Sequence, residues 1–417
     1  MDIKITPKKL RGKVTVPSSK SVAHRMIIAA SLADGKSTIT NLSPSVDILT
    51  TMNCMRELGA KIDFEGDTAV IEGIKRTKNV PDKAVLDCHE SGSTLRFLIP
   101  VACALGVNAE FLGSGALPKR PITAFLDELP KHGVKYDLSK AEDGYTLPCN
   151  FFGKAISGEY KIDGGVSSQF VTGLMFQLPL LVGDSEIVLT SPLQSKPYVD
   201  ITIGVLRNFG CEISETERGY FVKGDQSLKP FSGAVEGDYS QAAFFRVANS
   251  LGSELEILGL TENSLQGDKK IMKICDSFDQ SGGEPFEIDC SDIPDLVPVL
   301  TVLACFAKGT SRLTNVARLR LKESDRLSVT AECLNSIGGK VTVHEDSLEI
   351  VGVSSLKGGE ISGHNDHRIP MSMAVAATMC EEPLIIRGAE CVSKSFPNFF
   401  EVYRSIGGEL EGDYENT

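Results

Sequence analysis

Six times along the 417-residue chain a short polar turn runs into an apolar stretch of helical length. The copies are SSKSVAHRMIIAASLA from Ser18, SGSTLRFLIPVACAL from Ser91, VSSQFVTGLMFQLPLL from Val166, GDYSQAAFFRVANSL from Gly237, IPDLVPVLTVLACFA from Ile293 and NDHRIPMSMAVAATM from Asn365. Their starts lie about 55 to 75 residues apart, a period that makes one supersecondary unit the building block. Each copy is followed by a strand-like run such as STITNLS, AEFLGSG, EIVLTSP, LEILGL, SRLTNVA or PLIIRGA. A second helix then ends in MRELGAKIDFEG, LPKHGVKYDLS, LRNFGCEISE, LNSIGGKVTVHE or YRSIGGEL, with DSFDQSGGEPFEID a looser version. The glycine after that helix suits a left-handed cap turning into a strand, so the unit reads helix, strand, helix, strand-rich hairpin.

A chain of this length exceeds one compact core and predicts two domains of roughly 200 residues, hence three units in each. The first helices are apolar almost all round, which places them inside their domain and not on its surface. Their polar N-terminal turns then converge at one end of each domain. If the domains face one another, six helix N-termini point into one cleft, where dipoles and free amides favour phosphate and carboxylate.

The caps carry charge that capping does not need. VPSSKSVAHR, residues 16–25, puts Lys20 and Arg25 in the first turns of a helix, where acidic residues are normally preferred, in a chain of formal charge -12. Ser18 and Ser19 are ordinary N-caps, and either cation alone would be an ordinary solvated side chain. Across the caps and nearby loops, however, Lys20, Arg25, Arg96, Arg120, Lys322, Arg326, Arg368 and Lys394 accumulate. Opposite unit charges about 4 Å apart gain roughly 4 kcal/mol at an effective dielectric near 20, enough for several cations to hold two phosphorylated anions together.

Acid–base groups and neutral donors stand among them. In SDIPDLVPVL, Asp295 opens a helix ahead of an apolar run, where burial is expected to raise its pKa and fit it for proton transfer. In RLRLKESDRL, Arg318, Arg320 and Lys322 alternate as on one face of a strand before Glu323 to Arg326 turn into a helix. VSSQF offers Ser167, Ser168 and Gln169 as donors to phosphate and hydroxyl groups, or as a plain cap.

Other chemistries are disfavoured. Eleven cysteines without a CxxC pair, in a chain whose start MDIKITPKKLRG lacks a signal-peptide core, point to reduced thiols in a cytoplasm. Six histidines without HExxH or a comparable spacing predict no metal, and no cofactor motif stands out. ADGKST at residues 33–38 lacks the first P-loop glycine and follows a helix, and GSGALP at 113–118 lacks the last glycine of a dinucleotide fingerprint. A pI near 5.2 argues against nucleic acid or anionic membrane as partner, no run reaches the ~18 to 20 apolar residues of a membrane span, and without coiled-coil heptads a monomer is expected.

In order, PSSKSVAHR, SGSTLRF, KRPI, GGVSSQF, SKPYVDIT, EGDYSQAAFF, IPDLVPVL, LKESDRL, NDHRIPM and SKSFPNFF closely resemble the 5-enolpyruvylshikimate-3-phosphate synthase family over essentially the whole chain. The resemblance implies a two-domain inside-out α/β barrel fold of six pseudo-repeats, three per domain, with the chain crossing near residues 15 and 235. One domain would then be 1–15 with 235–417, the other 16–234, and the active site would occupy the cleft between them. It implies transfer of the enolpyruvyl group of phosphoenolpyruvate to the 5-hydroxyl of shikimate 3-phosphate with release of phosphate, in the pathway to chorismate and the aromatic amino acids. By this similarity Ser21, Arg25, Ser167, Ser168, Gln169, Ser195 and Tyr198 would hold shikimate 3-phosphate, with Asp295 at its hydroxyl and Lys20 and Lys322 between the substrates. Gly92, Arg120, Gln169, Arg326, Arg368 and Lys394 would hold phosphoenolpyruvate, Gly92 because a side chain there would crowd it. Asp295 would be the base, and Glu323 would protonate the methylene carbon with Lys20 beside it. Closure around the two anions would exclude water from the reacting carbon.

Three positions depart from the family pattern: Glu90 where many relatives carry Asn, Phe97 where Pro is common, and Arg318 where Asn is frequent. Arg318 is therefore kept outside the expected site. The related UDP-N-acetylglucosamine enolpyruvyltransferases place a cysteine in the loop before an RPI-like segment, and GSGALPKRPI has none. A noncatalytic anion-binding repeat protein is the remaining alternative and would leave Asp295 and Glu323 idle.

Overall fold

The computed structural model describes residues 1–75 and 79–412. The chain divides into two compact units, Met1–Ser19 with Glu236–Thr417, and Lys20–Val235. The first boundary falls at Ser19, beyond the residue 15 read from the resemblance. Backbone bonds hold that stretch: Val16 N donates to Leu258 O at 3.1 Å and Ser19 N to Glu236 O at 2.7 Å.

Each unit carries three small sheets, one per repeat, and five of the six share one plan. In Lys83–Asp87, Asn108–Leu112, Cys149–Phe152 and Lys135–Asp137, the first two strands run parallel across an intervening helix, and the last two form an antiparallel hairpin. The repeats at the crossings borrow strands. The helix Lys20–Leu32 is preceded in sequence by Arg11–Thr15, yet that strand pairs in the other unit, parallel to Glu254–Leu258. Its place beside Lys36–Thr40 is taken by Gly233–Ala234. The N-terminal strand Asp2–Thr6 completes the sixth sheet between Leu384–Arg387 and Glu409–Glu411.

The hairpin expected in the fourth repeat is absent, and its sheet has two strands only. After the helix Lys270–Gln280 the chain runs through residues 281–286 straight into Glu287–Asp289, which pairs parallel with Thr310–Thr314 of the fifth repeat. That is why DSFDQSGGEPFEID matched its counterparts loosely.

The first helices occupy the interior and the sheets surround them. Lys20–Leu32 buries every residue from Val22 onward, and Val297–Ala304 and Arg368–Ala377 are buried throughout. In the unit containing the N-terminus, Tyr239–Ser250, Val297–Ala304 and Arg368–Ala377 pack pairwise. In the other, Gly92–Leu105 lies along Ser168–Gln177, and Gly173 permits the approach because a Cβ there would stand 2.3 Å from Arg96 O. With apolar flanks packed all round, the polar groups of such helices are left at their ends.

Ile5 is fully buried in the middle strand of the sixth sheet. Ile5→Ala is expected to lower the free energy of urea unfolding by about 2–5 kcal/mol, since the cavity it leaves is walled by strands fixed on both sides.

Candidate active site

Within Lys20–Val235, the functional side chains hang on the starts of the inner helices. Lys20 opens its helix and pairs through Nζ with Asp47 Oδ2 at 2.9 Å, Asp47 being in the first turn of Val46–Glu57. Arg25 is 3% exposed and meets no carboxylate among the described residues. Its Nε donates to Thr202 Oγ1 at 2.7 Å, Nη1 to Ser21 O at 2.7 Å and Nη2 to Tyr198 O at 3.0 Å, and its guanidinium lies 5.0 Å from the centre of the Phe97 ring. Burial pushes Arg25 down to about 9, still far enough above neutrality to keep it a cation. Ser195, left-handed at φ 57°, accepts at its carbonyl from Tyr198 N at 3.1 Å, so Ser21, Arg25, Ser195 and Tyr198 form one cluster.

A second group lies on the adjoining helices. Ser167 caps Ser168–Gln177 by accepting from Gln169 N at 3.3 Å. Gln169 is locked in place: Arg96 Nη1 donates to its Oε1 at 2.6 Å, and its Nε2 donates to Ser93 Oγ at 3.0 Å. Arg120 is buried, and its Nε makes no hydrogen bond. It lies over Gly92, where a Cβ would come within 2.6 Å of Arg120 Nη1. The glycine thus makes room for the guanidinium itself, one step before any ligand.

Within Met1–Ser19 and Glu236–Thr417, the site is built on Arg326. Its guanidinium is 1% exposed and meets three carboxylates. Nη1 donates to Asp295 Oδ1 at 3.0 Å, Nη2 to Glu323 Oε2 at 2.6 Å, and Nε to Asp366 Oδ2 at 2.8 Å. Burial alone would lower its pKa, and these carboxylates, Asp366 foremost, more than reverse that. Arg368 Nη2 reaches Asp295 Oδ2 at 3.1 Å, and Lys322 Nζ lies 3.6 Å from Asp295 Oδ1. Lys394 donates to Asn365 O at 2.7 Å and to Asn365 Oδ1 at 2.9 Å. Asp295, Lys322, Glu323, Arg326 and Arg368 are therefore in one cluster.

Two sequence expectations fail here. Asp295 is held well below the ordinary carboxylate range: burial pushes it up as expected, but Arg368, Lys322, Arg326 and His367 together outweigh burial. Residues Ala317–Leu321 form a 3₁₀ turn and not a strand, because only Leu319 is anchored in the core. Their arginines diverge, Arg318 to Ser291 O and Arg320 to His344 O at 2.9 Å.

Asp47 and Asp366 were missing from the expected site, and Arg96 stood among the cap cations without an assigned ligand. Asp366 stands inside NDHR and also accepts from Ser324 Oγ at 3.0 Å and Arg368 N at 3.1 Å. The available signal was an acid two residues before Arg368 in a helix-start motif, and no role was read from it.

The family model for EPSP synthase (3-phosphoshikimate 1-carboxyvinyltransferase) matches residues 5–403. The chain belongs to the EPSP synthase family. Among its relatives, the 3-phosphoshikimate 1-carboxyvinyltransferase of Clostridium perfringens is 44% identical over 98% of this chain and 99% of that protein. The Clostridium kluyveri protein of the same name is 45% identical over 98% of both. The structure of EPSP synthase from Acinetobacter baumannii superposes with a TM-score of 0.81 at 26% identity, covering 99% of this chain and all of that one. The fold of that EPSP synthase thus covers 99% of the chain.

Asp366→Ala would leave Arg326 buried with its most enclosed partner gone. Unfolding by urea is expected to become easier by about 3–5 kcal/mol, as for other broken buried ion pairs.

Proposed function

We propose that this chain transfers the enolpyruvyl group of phosphoenolpyruvate to the 5-hydroxyl of shikimate 3-phosphate and releases phosphate. The observation that carries this reading is the Arg326 cluster: two carboxylates, Asp295 and Glu323, interleaved with Arg326, Arg368 and Lys322 on one surface. Family membership narrows which anions such a surface serves.

Shikimate 3-phosphate is assigned to Lys20, Ser21, Arg25, Ser167, Ser168, Gln169, Ser195 and Tyr198, with Lys322 and Asp295 at its hydroxyl side. Phosphoenolpyruvate is assigned to Lys20, Gly92, Arg120, Gln169, Arg326, Arg368 and Lys394. Arg120, a buried cation without a carboxylate partner among the described residues, supports an anion at that position.

Substrate anions sharing Arg326, Arg368 and Lys322 weaken their hold on Asp295, so its proton affinity rises toward that of a useful base only when the site is filled. Asp295 takes the hydroxyl proton as oxygen attacks C2 of phosphoenolpyruvate, and Glu323, with Lys20 beside it, delivers a proton to C3. In the second half Glu323 removes a methyl proton as the C2–O bond to phosphate breaks, and the proton on Asp295 leaves with the phosphate. No external oxidant or cofactor enters this balance. Among the described residues no helix is long and apolar enough to cross a membrane, and we place the enzyme in the cytoplasm as a monomer.

Phosphate release should appear with phosphoenolpyruvate plus shikimate 3-phosphate; turnover only with UDP-N-acetylglucosamine would reject the assignment. Asp295→Asn and Glu323→Gln should each lower kcat by about 10²- to 10⁴-fold, the range of a lost proton-transfer group. Shikimate 3-phosphate affinity, read by calorimetry, should be unchanged in Glu323→Gln, which removes no assigned contact with that ligand, and should weaken in Asp295→Asn by about 1.5–3 kcal/mol, one hydrogen bond to a charged group.

A further inference from the structure

A third carboxylate approaches the Asp295–Arg368 pair from behind. Asp268 lies in the turn Gly267–Lys269 and is 3% exposed. That turn packs on the helix Tyr239–Ser250, and so do the turn Pro294–Leu296, which carries Asp295, and the helix Arg368–Ala377, which starts at Arg368. Three successive repeats therefore bring Asp268, Asp295 and Arg368 to one helix. The Ser240 hydroxyl donates to Asp268 Oδ2, while Oδ1 is buried and makes no hydrogen bond. A carboxylate oxygen enclosed without a donor is costly as an anion and tolerable as an acid.

The groups facing Asp268 are Asp295, Arg368, Asp238 and the Cys290 thiol. Asp238 caps the same helix, accepting from Ser240 N at 2.8 Å and Gln241 N at 3.1 Å. The lysines that follow turn away, Lys269 to Glu262 O and Lys270 toward Asp292 at 3.6 Å. Burial first, then the negative charge of Asp295, push Asp268 up to about 7, with Arg368 and the Ser240 hydroxyl opposing.

We propose that Asp268 is a positioning residue for the Asp295–Arg368 pair, acting as a neutral acid that leaves the charge of Arg368 to Asp295 and to the substrate. This rests on the assignment of Asp295 and Arg368 to the transfer reaction. When Asp268 ionises it draws on the same guanidinium, and the affinity for phosphoenolpyruvate falls. The Ser240 hydroxyl favours that ionised form, so its removal delays the change to higher pH.

The test follows kcat and KM for phosphoenolpyruvate between about pH 5.5 and 9 in the full-length wild type, Asp268→Asn and Ser240→Ala. Wild-type KM is expected to rise about threefold or more through an inflection near pH 7, the size of a weakened but not lost ion contact. In Asp268→Asn that inflection disappears with kcat at pH 6 within about threefold of wild type, and in Ser240→Ala it moves upward. Thermal unfolding gives a readout independent of turnover. A carboxyl whose folded pKa is raised stabilises fully below its unfolded value of 3.8, and that contribution is lost as pH rises toward about 7. The Tm of wild type relative to Asp268→Asn should therefore fall across that window. Coincident KM profiles together with a constant Tm difference would overturn the proposal. Should Asp268→Asn not fold, an unmoved inflection in Ser240→Ala would do so. A wild type that releases no phosphate would defeat the functional reading instead, leaving the Tm comparison to decide whether Asp268 holds the proton.

Discussion

A fully buried guanidinium cannot shed its proton, so Arg326 obliges the chain to bring negative charge to it. Three carboxylates answer, from the turn ahead of Val297–Ala304, from the turn ahead of Arg326 itself, and from the turn ahead of Arg368–Ala377. Each of those turns is thereby pinned to the other two. Arg368 and Lys322 are drawn in by Asp295, and a surface with alternating charges results. Its charges are balanced only until an anionic ligand competes for the cations, which makes the cluster responsive to substrate.

The inside-out arrangement explains why such a cluster sits at helix starts. Helices buried on all sides have little surface other than their ends, and the hairpins that cover them face solvent with alternating side chains, as in the burial of Thr68–Glu72. The exchange of strands at the crossings adds a second constraint. Gly233–Ala234 and Arg11–Thr15 each stand in for the strand that ordinary repeats draw from their own sequence. The unit Met1–Ser19 with Glu236–Thr417 cannot complete its sheets from one continuous stretch of chain, and the unit Lys20–Val235 closes its first sheet only with its last strand.

Much of this was legible in residues. The six caps and the apolar helices behind them recur in sequence because each helix repeats the same packing problem, whereas Gly92 came only from the family resemblance, as room for phosphoenolpyruvate. The structure adds that Arg120, lying within 2.6 Å of a Cβ at Gly92, does the crowding. What sequence could not show was how charges from distant repeats sum. Asp295 looked like a carboxyl raised by burial, and only the meeting of Arg326, Arg368 and Lys322 reverses the sign. Asp366 and Asp47 drew no reading from the sequence, because their partners lie 40 and 27 residues away in the chain. The alternation of Arg318, Arg320 and Lys322 imitated a strand, but with Leu319 as its sole core anchor the segment had no sheet face to bury. The missing fourth hairpin was the exception, visible in advance as a poor match.

Proton delivery by Glu323 from within the Arg326 cluster is the central claim, and hydrogen exchange at the methylene of phosphoenolpyruvate tests it most directly. Phosphoenolpyruvate recovered from partial turnover with shikimate 3-phosphate in deuterated water should carry deuterium at C3, because the transient methyl group exchanges a hydrogen before phosphate departs. In Glu323→Gln that label should be absent from recovered substrate even at high enzyme concentration. Undiminished deuterium at C3 in that variant would show that another group carries the proton, and the reading of the cluster would be wrong.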